Sequence, residues 1–397
     1  MKPENDQSPK PPVFVQSPPS KKSNKPNKTG MKIRIGLVLI LLVIFLGYEI
    51  HHSNTNKSNS ASNSQSSNKF AIDYVTIPTH INEAKNYPND SAQTAQGHYV
   101  YIDTSAYNNN NDLGGKLIYD GKTIYNGANL ATSSYAISQN GQHYAYMRYA
   151  NDTSSIYVDN KLVKKVPGHT TSYAVVLYAV SNNGKNYAYG YAPNSQSVGI
   201  YKNGSQLYKN TSTIFTALFS SDLTNYVAAV QIPTTASNVN YDVIKNSKDV
   251  GSGSQAFISP NGQHYMSLVG NGNSEVSGVA VDGKTIGKVT ENDGDSDYTA
   301  INDNGTYGYT DFYSHLVNIN GTNKAIPASI PDDCGQGCIN LFAVNQTDTH
   351  YIVGDYKPGG STTGPVWDLD GKTITLKGDV EGLEFNHNTL YVYKWSN

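Results

Sequence analysis

The sequence predicts an all-β chain, a single β-propeller preceded by one transmembrane helix. Three observations carry that prediction. The pentapeptide DGKTI occurs three times, beginning at Asp120, Asp282 and Asp370, with starts 162 and 88 residues apart. Both spacings are near multiples of about 42 residues, the length of a four-stranded propeller blade. A second pattern recurs beside it: a short strand, a polar Asn-Gly turn and another strand. It appears as YAISQNGQHYAYMRY from Tyr135, YAVSNNGKNYAYGYA from Tyr178 and AFISPNGQHYMSLVG from Ala256. The composition agrees, with 31 Tyr and 35 Gly among 397 residues and only 15% charged. Tyr favours strands, whereas Gly and Asn favour tight turns.

Residues 1–32 are rich in Pro, Ser and Lys and poor in apolar residues. Such a stretch cannot bury enough surface to fold, so a disordered basic tail is expected. Residues 33–50, IRIGLVLILLVIFLGYEI, are uncharged between Arg34 and Glu49. This is a short transmembrane helix whose terminal charges can snorkel to the interfaces. Residues 1–34 carry eight Lys/Arg against two acids, a net of +6. The positive-inside rule therefore expects a cytoplasmic N-terminus, a single pass through the cell membrane and an extracytoplasmic remainder. A cleaved signal peptide competes with this reading. The long preceding region and the missing small-residue cleavage pair argue against it. Residues 51–69 form a Ser/Asn-rich linker. Its His51 and His52 read as interfacial polar residues, since no further ligand stands at metal-site spacing.

Residues 70–397 hold the repeat. Aligning the Tyr that opens the second strand of each unit gives Tyr99, Tyr144, Tyr187, Tyr226, Tyr265, Tyr307, Tyr351 and Tyr391, at gaps of 45, 43, 39, 39, 42, 44 and 40. Further on, most units carry an apolar strand ending in a two-residue turn, as in VAVDGK and VWDLDGK. Four strands per unit are expected, with alternating apolar and polar faces. A lone four-stranded sheet cannot bury both faces, but radial packing between two neighbours can do so. The last unit, GLEFNHNTLYVYKW, supplies only a first and a second strand. The stretch Phe70 to Ile81, FAIDYVTIPTHI, reads as a third and fourth strand, with Asp73 at the turn position held by Asp120 in the next unit. Joined, the two pieces complete one shared blade. Eight blades of four-stranded antiparallel sheets are favoured, with seven as the alternative because SAQTAQ makes a poor first strand.

ISPNGQHYMSL and VAVDGKTIGKV resemble the repeats of bacterial WD-type propellers related to the TolB-like family, in which a Ser-Pro-Asp-Gly-Lys turn precedes an apolar strand. The resemblance spans Phe70 to Tyr393 and implies the fold alone, because such propellers serve as scaffolds, binders and enzymes. Asn replaces Asp in the SPNG and SQNG copies, and SSDLTN has lost the Gly.

Several residues invite a chemical reading. His98, His143, His264 and His350 each precede a marker Tyr; Asn186, Asn225 and Thr306 hold that position elsewhere. Equivalent positions in different blades do not converge on one metal, so a structural role is expected. Asp293, Asp295 and Asp297 alternate as the first ligands of a Ca²⁺ loop do. Tyr298 stands where that loop needs Gly, and Asn304 where it needs Glu. They are nonetheless the best metal candidates, with Ca²⁺ as the one candidate cofactor. Cys334 and Cys338 sit four apart in a Gly-rich insertion and are expected to form a local disulfide in an oxidising compartment. Tyr144, Tyr146, Tyr187 and Tyr189 read as packing between blades. Tyr107, in the polar stretch Ser105 to Gly115, reads as a loop that could meet a ligand.

No nucleophile elbow, Walker loop or dinucleotide fingerprint occurs. Residues 70–397 carry nineteen Lys/Arg against twenty-eight acids, a net of −9, which excludes the basic surface that nucleic acid requires. The expected function is therefore an extracytoplasmic, membrane-anchored module that binds or scaffolds a protein, a peptide or a cell-envelope glycan. The alternative is a propeller-based hydrolase or lyase with a metal in the channel.

Overall fold

The computed structural model describes residues 71–396, apart from 79–91, 104–112, 168–174, 195–196, 212, 233–239, 271–275, 288–298, 312–315, 327–340, 346–349, 355–365, 378–379 and 387–388. Every regular element among the described residues is a β-strand. The segment 33–50 and the tail before it lie outside the described residues, as does the linker 51–69. No described helix is long and apolar enough to cross a membrane.

The architecture is that of a β-propeller, built from four-stranded antiparallel sheets that follow one another along the chain. Each marker Tyr lies on the second strand of its sheet, and the sheets are named here by it. The Tyr187 sheet is typical: Val175–Val180, Tyr187–Asn194, Ser197–Lys202 and Ser205–Asn210 pair in chain order. The Tyr226, Tyr265, Tyr307 and Tyr351 sheets have the same order. The Tyr99 and Tyr144 sheets share one long strand, Lys122–Ile137. Its beginning pairs with Leu113–Tyr119 as a fourth strand, and its end pairs with Tyr144–Ala150 as a first strand.

The turn between third and fourth strands is what DGKTI encodes. Asp120 and Gly121 have φ of 47° and 75°, Asp282 and Gly283 49° and 78°, Asp370 and Gly371 55° and 80°. Two successive left-handed residues make the hairpin turn that follows strand twist, and Asp-Gly or Asn-Gly tolerates it. After the turn each of these seven fourth strands carries lysine: Lys122, Lys161, Lys209, Lys248, Lys284, Lys324 and Lys372.

The closing sheet departs from expectation in two ways. Val380–Asn386 and Thr389–Trp395 form its first two strands, as the sequence implies. Among the described residues the N-terminal piece contributes one strand, Ala71–Ile77, where a third and fourth were expected. It runs parallel to Thr389–Trp395, placing Ala71 against Thr389 and Ile77 against Trp395. Asp73 is correspondingly mid-strand, opposite Tyr391, and not at a turn. Among the described residues the sheet is thus three-stranded and mixed. The direction has a topological cause. The other second strands run away from the first turn of their sheet, as do the fourth strands, and the fourth strand feeds the next first strand. Ala71–Ile77 has the direction of a fourth strand but sits directly beside the second.

The core lies between sheets. Val75 and Ile77 pack with Tyr99 and Tyr101; Val100 and Leu117 with Tyr144 and Tyr146; Met147 and Ile156 with Leu177 and Tyr189. The series continues through Ile200 with Phe219, Val227 with Ile258, Met266 with Ile301, and Val317 with Val353. It returns to the closing sheet where Trp367 and Ile352 meet Leu383 and Leu390. Burial on both faces explains why second strands do not alternate as expected: Tyr226 to Val230 are all buried. Tyr144, Tyr146, Tyr187 and Tyr189 do pack between sheets, and stacked pairs such as Tyr146–Tyr157 at 5.0 Å account for part of the tyrosine excess.

Candidate functional site

First strands of successive sheets lie against one another, so they line the axis, and the turns that follow them gather at one end of it. The sequence specifies those turns through a buried hydroxyl. Ser138, Ser181, Ser220 and Ser259 are fully buried. Each donates to the side chain two residues on (Asn140, Asn183, Asp222 and Asn261) at 2.7–2.8 Å. Each also accepts the backbone N–H five residues on, at 2.9–3.0 Å. The fourth turn residue is left-handed: Gly141, Gly184 and Gly262, with Leu223 taking φ of 58° where the sequence has lost its Gly. Burial pushes the Asp222 carboxyl up, but hydrogen bonds from Thr224 and Ser220 outweigh it and hold the group below its usual value.

Successive turns are tied together. The Asn140 N–H donates to Asn182 Oδ1 at 2.9 Å and its side-chain amide to the Asn182 carbonyl at 3.0 Å. Asn182 N–H donates to the Ser221 carbonyl, and Ser221 N–H to that of Pro260. Asn261 meets Asp303 at 2.7 and 3.1 Å, and Asn302 reaches the Asn345 carbonyl at 2.7 Å. Six turns therefore form a continuous polar rim.

Buried side-chain polar atoms that make no hydrogen bond lie in these turns, at Gln139 Oε1 and Asp303 Oδ2, and along the first strands, at Thr216 Oγ1, Gln255 Oε1 and Glu384 Oε1. They come from five different sheets, each on a first strand or the turn after it. Burial raises the Asp303 carboxyl, against the opposing pull of the Asn261 N–H and His264. Burial also raises Glu384, to about 8. Glu384 Oε2 accepts the Gln96 N–H at 2.7 Å and the Tyr393 hydroxyl at 2.9 Å, while the Gly97 N–H donates to Tyr393 Oη at 2.8 Å. This network binds the closing sheet to the first turn of the Tyr99 sheet. Nothing local in the sequence marks Glu384, whose setting is made by residues nearly 300 positions away.

The four histidines have a structural partner that sequence reading missed. His98, His143, His264 and His350 place Nδ1 within 2.6–2.8 Å of Asp120, Asp159, Asp282 and Asp370 in turn. The other carboxylate oxygen accepts the N–H of the following marker Tyr at 2.8–3.2 Å. Where His is replaced by Asn, the Asp is replaced too: Asn203 and Asn246 donate to Asn186 and Asn225 at 2.7 Å. Thr306 is likewise matched by Asn320, which accepts the Tyr307 N–H at 3.0 Å. The signal was present, since each His accompanies an Asp in the turn of its own unit. These His–Asp pairs sit in separate sheets and clamp the start of the second strand to the distal turn. Asp159→Ala, which removes two such bonds, is expected to cost about 1–2 kcal/mol. The paired exchange His143→Asn with Asp159→Asn, copying Asn186–Asn203, is expected to stay within about 1 kcal/mol of the parent. Urea unfolding of the three proteins, parent included, measures both.

Asp293, Asp295 and Asp297, and likewise Cys334, Cys338 and Tyr107, lie outside the described residues. Among the described residues no group of three His, Cys, Asp or Glu could hold a metal ion.

No family model and no curated protein matches the sequence. Solved structures with similarity include TolB from Acinetobacter baumannii, at 16% identity and a TM-score of 0.31 over 47% of this chain and 50% of that one. The acylaminoacyl peptidase of Pyrococcus horikoshii is similar at 15% identity and a TM-score of 0.41, over 72% of this chain and 52% of the peptidase. The β-propeller domain of the trilobed protease from Pyrococcus furiosus shows 11% identity and a TM-score of 0.36, over 75% and 88%. The matched part thus spans about half of the TolB and peptidase chains. The resemblance read from the repeats, to TolB-like propellers, returns here as a likeness in fold.

Proposed function

We propose that the chain is a closed eight-bladed propeller, held at a membrane by residues 33–50, that binds a protein or peptide segment, or a glycan, at the polar rim of first turns. The closure is supported by core clusters that run from each sheet to the next and return to the starting one. The membrane tether rests on the uncharged run between Arg34 and Glu49 and on the basic residues before it.

The observation that carries the binding reading is the set of buried, unpartnered polar atoms on five sheets around the axis. A buried acceptor or hydroxyl left unsatisfied costs about 1–3 kcal/mol, and a polar ligand whose N–H or O–H groups enter between the first strands from the rim would relieve part of that cost. Peptides and glycans both present such groups.

The test uses the full chain in detergent against displayed peptide and glycan libraries. Thr216→Val, Gln255→Met and Asp303→Asn each remove or alter one such atom at nearly constant volume. Each is expected to weaken a selected ligand by about tenfold. A ligand whose affinity none of the three changes would place binding elsewhere on the molecule.

A further inference from the structure

The closing sheet has an unguarded edge. Its outer strand, Ala71–Ile77, has Thr389–Trp395 on one side and no strand of the described residues on the other. The seven fourth strands of the other sheets each carry lysine, which discourages further strands from adding to an edge. Ala71–Ile77 carries none: its one charge is Asp73, and Ile72 and Tyr74 are 37% and 38% exposed.

Among the described residues the edge is also recessed. A three-stranded sheet beside four-stranded neighbours falls short by one strand spacing, about 4.8 Å. The slot between the flanking Tyr351 and Tyr99 sheets therefore matches a single added strand. A second copy offering the same recessed edge would overlap at the flanking fourth strands before the two edges could pair. Of the two flanking segments outside the described residues, 51–69 contains no apolar residue larger than Ala61 to cover Ile72 and Tyr74, and 79–91, which includes Ile81 and Tyr87, is the own-chain occupant that the amide measurement below checks.

We propose that Ala71–Ile77 is a strand-addition site for an extended segment of a partner protein, apolar on one face and basic on the other. Backbone hydrogen bonds to the open edge supply affinity, and alternate side chains supply choice. The partner's apolar face covers Ile72 and Tyr74, and its Lys or Arg lies beside Asp73. The net of −9 over residues 70–397 draws a basic segment in, while lysine on the other outer strands directs it to this edge. This surface is on the outer margin, distinct from the axial rim, so either site can fail without the other.

The probe is the capped heptapeptide Thr-Val-Lys-Val-Lys-Val-Thr, titrated into the full chain in detergent. Hydrogen exchange is read at residues 71–77 and binding by fluorescence of a labelled peptide. The expected result is new protection confined to residues 71–77. Asp73→Lys or Ile72→Lys should weaken binding by at least about tenfold. The same peptide with Glu for Lys should bind the unaltered chain at least about tenfold more weakly, a comparison no folding defect can disturb. Absence of new protection would overturn the proposal, as would equal binding of the Lys and Glu peptides. Two further outcomes would also overturn it: outward amides of 71–77 already protected in the monomeric chain, showing that its own segment fills the slot, or a dimer abolished by Ile72→Lys.

Discussion

Glu384→Gln is expected to stabilise the fold above about pH 8 by about 3–5 kcal/mol and to leave it unchanged near pH 4. Burial lifts the Glu384 carboxyl from 4.5 to about 8 in the folded chain. Between those values the folded protein holds a proton that the unfolded chain has released. The contribution to stability is therefore complete below about pH 4.5 and falls as pH rises. It is lost once the folded carboxyl ionises above about 8. Glutamine preserves a carbonyl oxygen for the Gln96 N–H and the Tyr393 hydroxyl and never ionises. Urea unfolding across pH 4 to 9 decides the matter. Parallel stability curves for the two proteins would show that Glu384 does not titrate in the folded chain as its burial requires.

Gly141→Ala is expected to destabilise the protein by about 3 kcal/mol or more. Gly141 has φ of +71°, and a Cβ there would meet the His98 ring and stand 2.5 Å from the Ala95 carbonyl oxygen. The first obstacle is conformational and the second is steric, because that carbonyl belongs to the neighbouring sheet's backbone and cannot swing away. Gly371→Ala separates the two. Its φ is +80°, close to that of Gly141, but a Cβ would make only an ordinary contact with the Tyr351 hydroxyl at 3.8 Å, so only the conformational part, about 1–2 kcal/mol, is expected. Equal losses at the two positions, measured by denaturant midpoints, would remove sheet-to-sheet contact as the reason for the glycine. Gly184 and Gly305 face His143 and His264 in the same way, so the fourth turn residue reads the histidine of the preceding sheet.

The repeat was legible because its punctuation is stereochemical. Left-handed turn residues and the Tyr that opens each second strand must recur wherever a blade recurs, and eight such tyrosines fall on second strands. The closing strand was only half legible. AIDYVTI announces a strand, but nothing in alternation distinguishes a parallel from an antiparallel partner, and Asp73 imitates a turn residue. The His–Asp clamps were readable from paired variation inside the chain and were passed over because each position was considered alone. The unpartnered polar atoms of the first strands and their turns were not legible. Gln139, Thr216 and Gln255 have no common spacing, and their shared burial comes from sheets brought together only when the fold is complete.

That completion carries a temporal consequence. Ala71 pairs with Thr389, 318 positions later, so the first described strand must wait for the last described one. Contacts of such sequence separation are slow to form. Until Thr389–Trp395 arrives, Ile77 and Val75 lack Tyr393 on one side, and Trp367 lacks Leu390 and Val392 on the other. An unfinished chain therefore shows two apolar flanks that the finished one covers. Exposed apolar surface of that kind is what makes unfinished chains prone to aggregate and brings them to chaperones.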